Sequence, residues 1–215
     1  MHAETAPAET GPKTQRIDGR RLRIERTKQL IIEAYLELLR APSRQMPTAA
    51  QIAERAGYSV RSIFERFADL PALNLATADY ALAMGQAEAV ARHVDGDRQT
   101  RIRSHVRTRA ESCEKWLPMW RALTTAEDQL PELKARIVLA RLGNIERMKL
   151  MYGPELATLA AGERDQLLIA LATMISFESW DQLRECYNLS MEAAQAVWIT
   201  AIGRALPPTP SPTPR

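Results

Sequence analysis

The chain has 215 residues, 46% apolar and 26% charged, a balance that suits a soluble globular protein with one generous core or two small ones. No run of 18 uncharged apolar residues occurs, and the start "MHAETAPAETGPKTQ" lacks the apolar stretch of a signal peptide, so a cytoplasmic protein without a membrane partner is expected. The formal charge of +3 is modest but uneven: Lys13, Arg16, Arg20, Arg21, Arg23, Arg26 and Lys28 face only Asp18 and Glu25, leaving that segment at +5. Such a patch at one end suits either contact with a polyanion or a solubilising tail. Cys113 and Cys186 stand far apart in helical patterns and form neither a disulfide framework nor a zinc spacing.

Residues 1–19, rich in Ala, Pro, Thr and Glu without periodicity, read as a disordered tail. A first helix follows over about 21–40, with Ile24, Ile31, Ala34 and Leu38 on one face, and "APSRQMP" ends it. Thr48 and Gln51 have capping-box spacing and open a second helix that Gly57 closes. Ser59 caps a third helix over 60–67, and Asp69 caps a fourth that carries Pro71 in its first turn and runs to about His93. Further helices are expected over 97–116, 130–151, 163–187 and 190–206, separated by "VDGD", "WLPMW", "MYGPE" and "NLS". From Pro207 the segment "PPTPSPTPR" cannot continue a helix and reads as a second disordered tail, 207–215. The predicted fold class is all-α.

The stretch "TAAQIAERAGYSVRSIFERF", 48–67, is the most informative. Ala53 lets two helices approach closely, Gly57 supplies a permissive turn, and Ile63 and Phe67, four apart, can pack back on Ile52 and the first helix. Burying those two turns Arg61 and Glu65 outward, which is how a helix-turn-helix presents its second helix to a major groove. Arg61 is the base-reading candidate, because its planar fork matches guanine O6 and N7. Glu65 either accepts from cytosine or restrains Arg61, and the second reading is preferred. Arg66 is expected at phosphate, and Tyr58 serves either packing or DNA contact.

Over roughly 24–75, "IIEAYLELL", "TAAQIAERAGYSVRSIFERF" and "ADLPAL" resemble the TetR-type (TetR/AcrR-like) bacterial transcriptional regulators. The resemblance implies a DNA-binding head over 20–75 and a ligand-binding and dimerisation body over 76–206. It implies DNA-contact roles for Thr48 at the start of the second helix and for Ser59, Val60 and Arg61 at the leading edge of the third. Phe64 replaces a usual tyrosine, Arg66 a usual histidine or tyrosine, and Leu70 a frequent phosphate-binding lysine. Arg20, Arg21 and Arg23 form a basic lead-in expected along a backbone or minor groove.

In the body, helix 163–187 is apolar nearly all round, with Leu167, Leu168, Leu171, Met174, Ile175, Phe177, Trp180 and Leu183. Helix 190–206 adds Met191, Ala194, Val197, Trp198, Ala201 and Ile202. Leu171, Met174, Ile175, Trp180, Trp198 and Ile202 are therefore the expected dimer contacts, in line with the resemblance. Trp116, Met119 and Trp120 flank the "WLPMW" break, where a gap could open, and with Phe177 they are the candidate ligand contacts. Arg141, on the stripe Ile137–Ile145–Met148, and Arg109, beside Ile102–Val106–Cys113, are each either a polar anchor or an edge residue that reaches water.

His2, His93 and His105 make no metal-binding or catalytic spacing, and no phosphate-cradling glycine run occurs, so no metal, cofactor or enzymatic activity is expected. The leading reading is a homodimeric repressor that binds a palindromic double-stranded operator and is released by a small apolar effector. The alternatives are a DNA-binding regulator whose body binds a protein or no ligand, and a small all-helical enzyme, whose mark would be titratable residues converging in a pocket.

Overall fold

The computed structural model describes residues 19–40, 46–126 and 131–211. The first tail, with Lys13 and Arg16, lies almost wholly outside them, as do most of "APSRQMP" and the last four residues. Among the described residues all regular structure is helical: α1 (Gly19–Leu39), α2 (Ala49–Ala56), α3 (Val60–Phe64), α4 (Leu70–Glu88), α5 (Arg98–Ala126), α6 (Pro131–Met151), α7 (Gly153–Leu156), α8 (Ala161–Met174), α9 (Phe177–Asp181), a π-helical turn (Gln182–Cys186) and α10 (Met191–Ala205).

Local chemistry sets the ends of the first helices. Thr48 Oγ1 accepts from the Gln51 amide at 3.3 Å while Gln51 Oε1 accepts from the Thr48 amide at 2.9 Å, a complete capping box. Gly57 takes φ +73°, and the Gly57 and Tyr58 amides close on the carbonyls of Glu54 and Ala53 at 3.2 and 2.9 Å. A side chain at that φ would meet its own carbonyl, so glycine fixes the turn between α2 and α3. Ser59 Oγ caps α3 through the Ser62 amide at 3.1 Å, and Asp69 Oδ1 caps α4 through the Ala72 amide at 2.8 Å. Ile31, Ile52, Ile63 and Leu73, all fully buried, join α1 to α4 around one small core with Phe67. Each such side chain contributes about 1.5–3 kcal/mol of burial.

α4 belongs to both ends of the molecule. Its first turns pack on α1, where the Tyr35 hydroxyl donates to Asn74 Oδ1 at 2.7 Å, and its later turns pack on α5 and α6. The expected boundary at 75/76 therefore falls inside one continuous helix. α5 is the axis of the body, in contact with α4, α6, α9 and α10.

Several expected boundaries differ from the structure. α5 does not end at "WLPMW" but runs through Pro118 to Ala126. Pro118 lacks an amide for the Glu114 carbonyl, and buried Trp116, Met119, Trp120 and Leu123 hold the helix together on either side. α4 stops at Glu88, and His93 takes φ +58°, a left-handed backbone that no helix residue adopts. The single helix expected over 163–187 is broken at Ile175, where Ser176 caps a new helix through the Ser179 amide at 3.1 Å. α3 is shorter than expected, although Phe67 still closes a turn on the Ile63 carbonyl at 2.8 Å. α1 begins at Gly19, two residues earlier than expected, so Arg20 joins Arg21 and Arg23 on helical turns. In the segment read as a disordered tail, Leu206 just before it is buried and the Thr209 hydroxyl donates to Glu155.

Candidate nucleic-acid interface and ligand cavity

The outward face of the head is basic and apolar together. The Arg61 side chain is 88% exposed, and Val60 and Phe64 are exposed beside it. Arg61 Nε donates to Glu65 Oε1 at 3.0 Å, and Arg66 donates to Glu65 Oε2 at 3.1 Å. The hydrogen bond from Arg61, and secondarily the one from Arg66, holds the Glu65 carboxyl below its ordinary pKa. Glu65 thus splints two arginines, the role preferred for it from sequence. Thr48 and Ser59 are exposed at the starts of α2 and α3, and Tyr58 is half-buried against the head core. Arg20, Arg21 and Arg23 are exposed at the start of α1.

In the body, a cleft lies between α4, α5, α6, α8 and α9. One part, about 790 Å³ out to its mouth, is walled by Ala78, Ala81 and Gly85 of α4, Trp116, Met119 and Leu123 of α5, and Ala140 of α6. A second part, about 950 Å³ out to its mouth, adjoins it along Arg109, Trp120, Asn144 and Phe177. Trp120 and Phe177 stack at 4.7 Å between centroids, and the Arg109 guanidinium lies 4.4 Å over the Phe177 ring. Arg109 Nε also donates to the Ile175 carbonyl at 2.9 Å, which that residue offers because α8 ends there.

The structure brings Trp116, Met119, Trp120 and Phe177 together at this cleft. It separates Arg141 from the first part: Arg141 is exposed and donates to Glu178 Oε1 at 3.0 Å. Burial would raise the Glu178 carboxyl, but hydrogen bonds from its own backbone, Arg141 and Trp120 bring it below its ordinary pKa. Sequence reasoning missed Gly85, Asn144 and Arg147. The i, i+4, i+7 pattern of Ala140, Asn144 and Arg147 on α6 could have marked them as one face.

The expected dimer contacts need correction. Leu171, Ile175, Trp180, Trp198 and Ile202 are essentially fully buried within the single chain, and Met174 is half-buried. Trp180 and Trp198 meet at 4.8 Å, with Trp180 Nε1 donating to Glu114 at 3.0 Å. The break at Ile175 lets the two halves of the apolar run turn different faces inward, so the body covers them itself. On α8 and α10 the large apolar side chains left exposed are Ile169, 61% exposed, which also lines the second part of the cleft, and Val197.

A buried polar cluster lies at the far end of α5. Arg101 donates to the carbonyls of Met151 (2.8 Å) and Gly96 (2.6 Å) and pairs with Glu155. His105 Nδ1 and the Tyr152 hydroxyl share a hydrogen bond at 2.7 Å. Burial above all, then the charges of Arg109 and Arg147, pushes the His105 pKa down to about 3. These groups line neither part of the cleft, and among the described residues no group of His, Cys, Asp and Glu could hold a metal ion. Nor, among those residues, is any helix long and apolar enough to cross a membrane.

The chain thus has a capped helix-turn-helix head joined by one continuous helix to a larger helical body. The chain is similar in structure to a transcriptional regulator from Rhodococcus sp. Rha1, with a TM-score of 0.69 at 11% identity over 85% of this chain and 99% of that one. It is also similar to a Rhodococcus protein assigned to the TetR family of transcriptional regulators (0.67, 15%, 84% and 98%). A third likeness is to a transcriptional regulator of Streptomyces coelicolor A3(2) (0.55, 19%, 84% and 98%). At these identities the likeness is one of fold. No family model and no curated protein sequence matches the chain.

Proposed function

We propose that the protein is a homodimeric, sequence-specific DNA-binding transcriptional regulator, a repressor released from its operator by a small, largely apolar molecule bound in the cleft. The observation that carries this reading is the double role of α4, which packs on the head through Asn74 and walls the cleft through Ala78, Ala81 and Gly85. A molecule that moves α4 moves the head with it, which supplies a coupling between two sites. The head spans 20–75 and the body 76–206. Dimerisation uses the outward faces of α8 and α10, where Ile169 and Val197 are exposed and Ala193 and Ala196 allow close approach. The open, apolar cleft favours this reading over a body that binds no ligand, and the sealed position of His105 and Glu155 disfavours an enzyme.

Selection of bound sequences from random duplex DNA tests the proposal: an inverted repeat with half-sites one helical turn or a multiple apart is expected. Failure to enrich any sequence would remove the DNA-reading function. On the selected duplex, Arg61→Ala is expected to cost roughly 1–3 kcal/mol, with little effect on random duplex, because a base-specific hydrogen bond exists only where the correct base is present. Replacing Arg20, Arg21 and Arg23 by alanine should weaken both duplexes alike and lower the salt slope by about 0.9 for each phosphate no longer neutralised. Binding titrations on both duplexes at several salt concentrations separate the two effects. Equal weakening on both duplexes for Arg61→Ala would assign that residue to phosphate.

A further inference from the structure

Two guanidinium groups, from Arg109 on α5 and Arg147 on α6, line the first part of the cleft, with the Asn144 amide and the Ser112 hydroxyl on the same walls. Most of the remaining lining is apolar. Arg136 also reaches this cavity, but Asp79 holds it at 2.8 and 3.2 Å. Arg109 and Arg147 differ from it. Arg109 spends its Nε on a neutral backbone carbonyl and lays its face on Phe177, and among the described residues neither arginine forms an ion pair with a carboxylate. Both are half-buried. Two like charges placed in an apolar cleft without a counter-ion are costly to the empty protein. Burial first, and then the charge of Arg109, lowers the pKa of Arg147.

The same cavity holds an unused donor. Trp116 Nε1 is buried and has no hydrogen-bond partner, and a Cβ built on Gly85 across from it would lie 3.8 Å away. Glycine at 85 keeps that side of the indole open. A buried N–H without an acceptor forfeits its hydration, which a ligand acceptor would restore.

We propose that the cleft takes an apolar molecule bearing a carboxylate, the carboxylate held between Arg109 and Arg147 and the apolar body lying along Trp116, Met119 and Leu123 against α4. The inference rests on the reading of the cleft as an effector site and replaces a purely apolar effector with an amphipathic anion. The planar forks of two arginines match carboxylate oxygens, and the charge supplied by the ligand relieves their mutual repulsion. A phosphate fits less well. Arginine forks alone would take either anion, but Arg109, Ser112, Asn144 and Arg147 all lie in helix interiors whose amides are already bonded, so the site offers no backbone amides for the additional oxygen and charge of a phosphate. The anion also sits at the end of the cavity away from the α4–head contact, so its apolar body is the part that presses on α4.

The test uses the full chain and tryptophan fluorescence, checked by calorimetry, with decanoate, 4-phenylbutyrate and 1-naphthaleneacetate, each paired with its primary amide. At least one acid is expected to bind ten or more times tighter than its amide. Arg147→Gln should weaken that acid at least tenfold and leave the amide unchanged, while Arg147→Lys restores part of the difference. Decyl phosphate should bind more weakly than decanoate. Thermal melting of unliganded Arg147→Gln should match or exceed the parent, because the substitution removes a repulsion. Arg109→Gln repeats the test, and if loss of its bond to Ile175 unfolds that variant, Arg147→Gln decides alone. Acids and amides binding equally would overturn the carboxylate claim and leave the effector site standing. No binding by any of the six would overturn both.

Discussion

Arg101→Met is expected to lower the stability of the folded chain by about 3–5 kcal/mol, the cost of stranding a buried carboxylate. For a protein of this size that is a fall in melting temperature of about 6–20 °C. Glu155 has no exposed surface, one of its oxygens already has no hydrogen-bond partner, and the other receives Arg101 and Thr209. Arg101 also ties the carbonyls of Gly96 and Met151 to α5, so its removal frees three segments at once. The double replacement Arg101→Met with Glu155→Leu should recover most of the stability, because the charge that needed a partner is gone. Calorimetric melting of the three proteins distinguishes this from a simple loss of packing, for which the second substitution would add to the first.

The second large effect is acid instability with a defined origin. His105 is buried and neutral, with its pKa pushed from 6.5 to about 3. The folded state therefore binds fewer protons than the unfolded state between these values. The stability held above pH 6.5 declines as the pH falls towards 3, by up to about 1.4 kcal/mol per pH unit from this group. His105→Gln keeps a polar partner for Tyr152 and does not titrate. Denaturant titrations from pH 7 to 4 should show the parent losing stability faster than this variant. Parallel pH profiles would mean that His105 gains its proton without cost and is not sealed as the structure places it.

How much of this was legible beforehand depends on the kind of signal. The caps of the head were readable because they are set by local chemistry: Thr48 with Gln51, Gly57, Ser59 and Asp69 each act within four residues. The pairing of Glu65 with Arg61 was legible for the same reason. The body was not, because its breaks depend on distant packing. Pro118 looked like a stop, yet the aromatic and methionine side chains around it pin the helix from outside. The break at Ile175 carries no glycine or proline, only a serine that caps the next helix. That one missed break turned intramolecular core residues such as Ile175 and Trp180 into expected dimer contacts. Trp116, Met119 and Trp120 were singled out for a helix break that does not occur, although they do line the cleft, and Arg147 was not singled out, since only the pairing of α5 with α6 brings it to Arg109's end of the cavity.

Release from an operator by a bound effector requires that cleft and head be coupled. The decisive measurement is the affinity of the full chain for its selected duplex with the cleft empty and with it saturated by the carboxylate that binds. A fall of at least tenfold is predicted, with the same factor appearing in the ligand's affinity when DNA is bound, as linkage requires. An unchanged DNA affinity at demonstrated saturation of the cleft would contradict it.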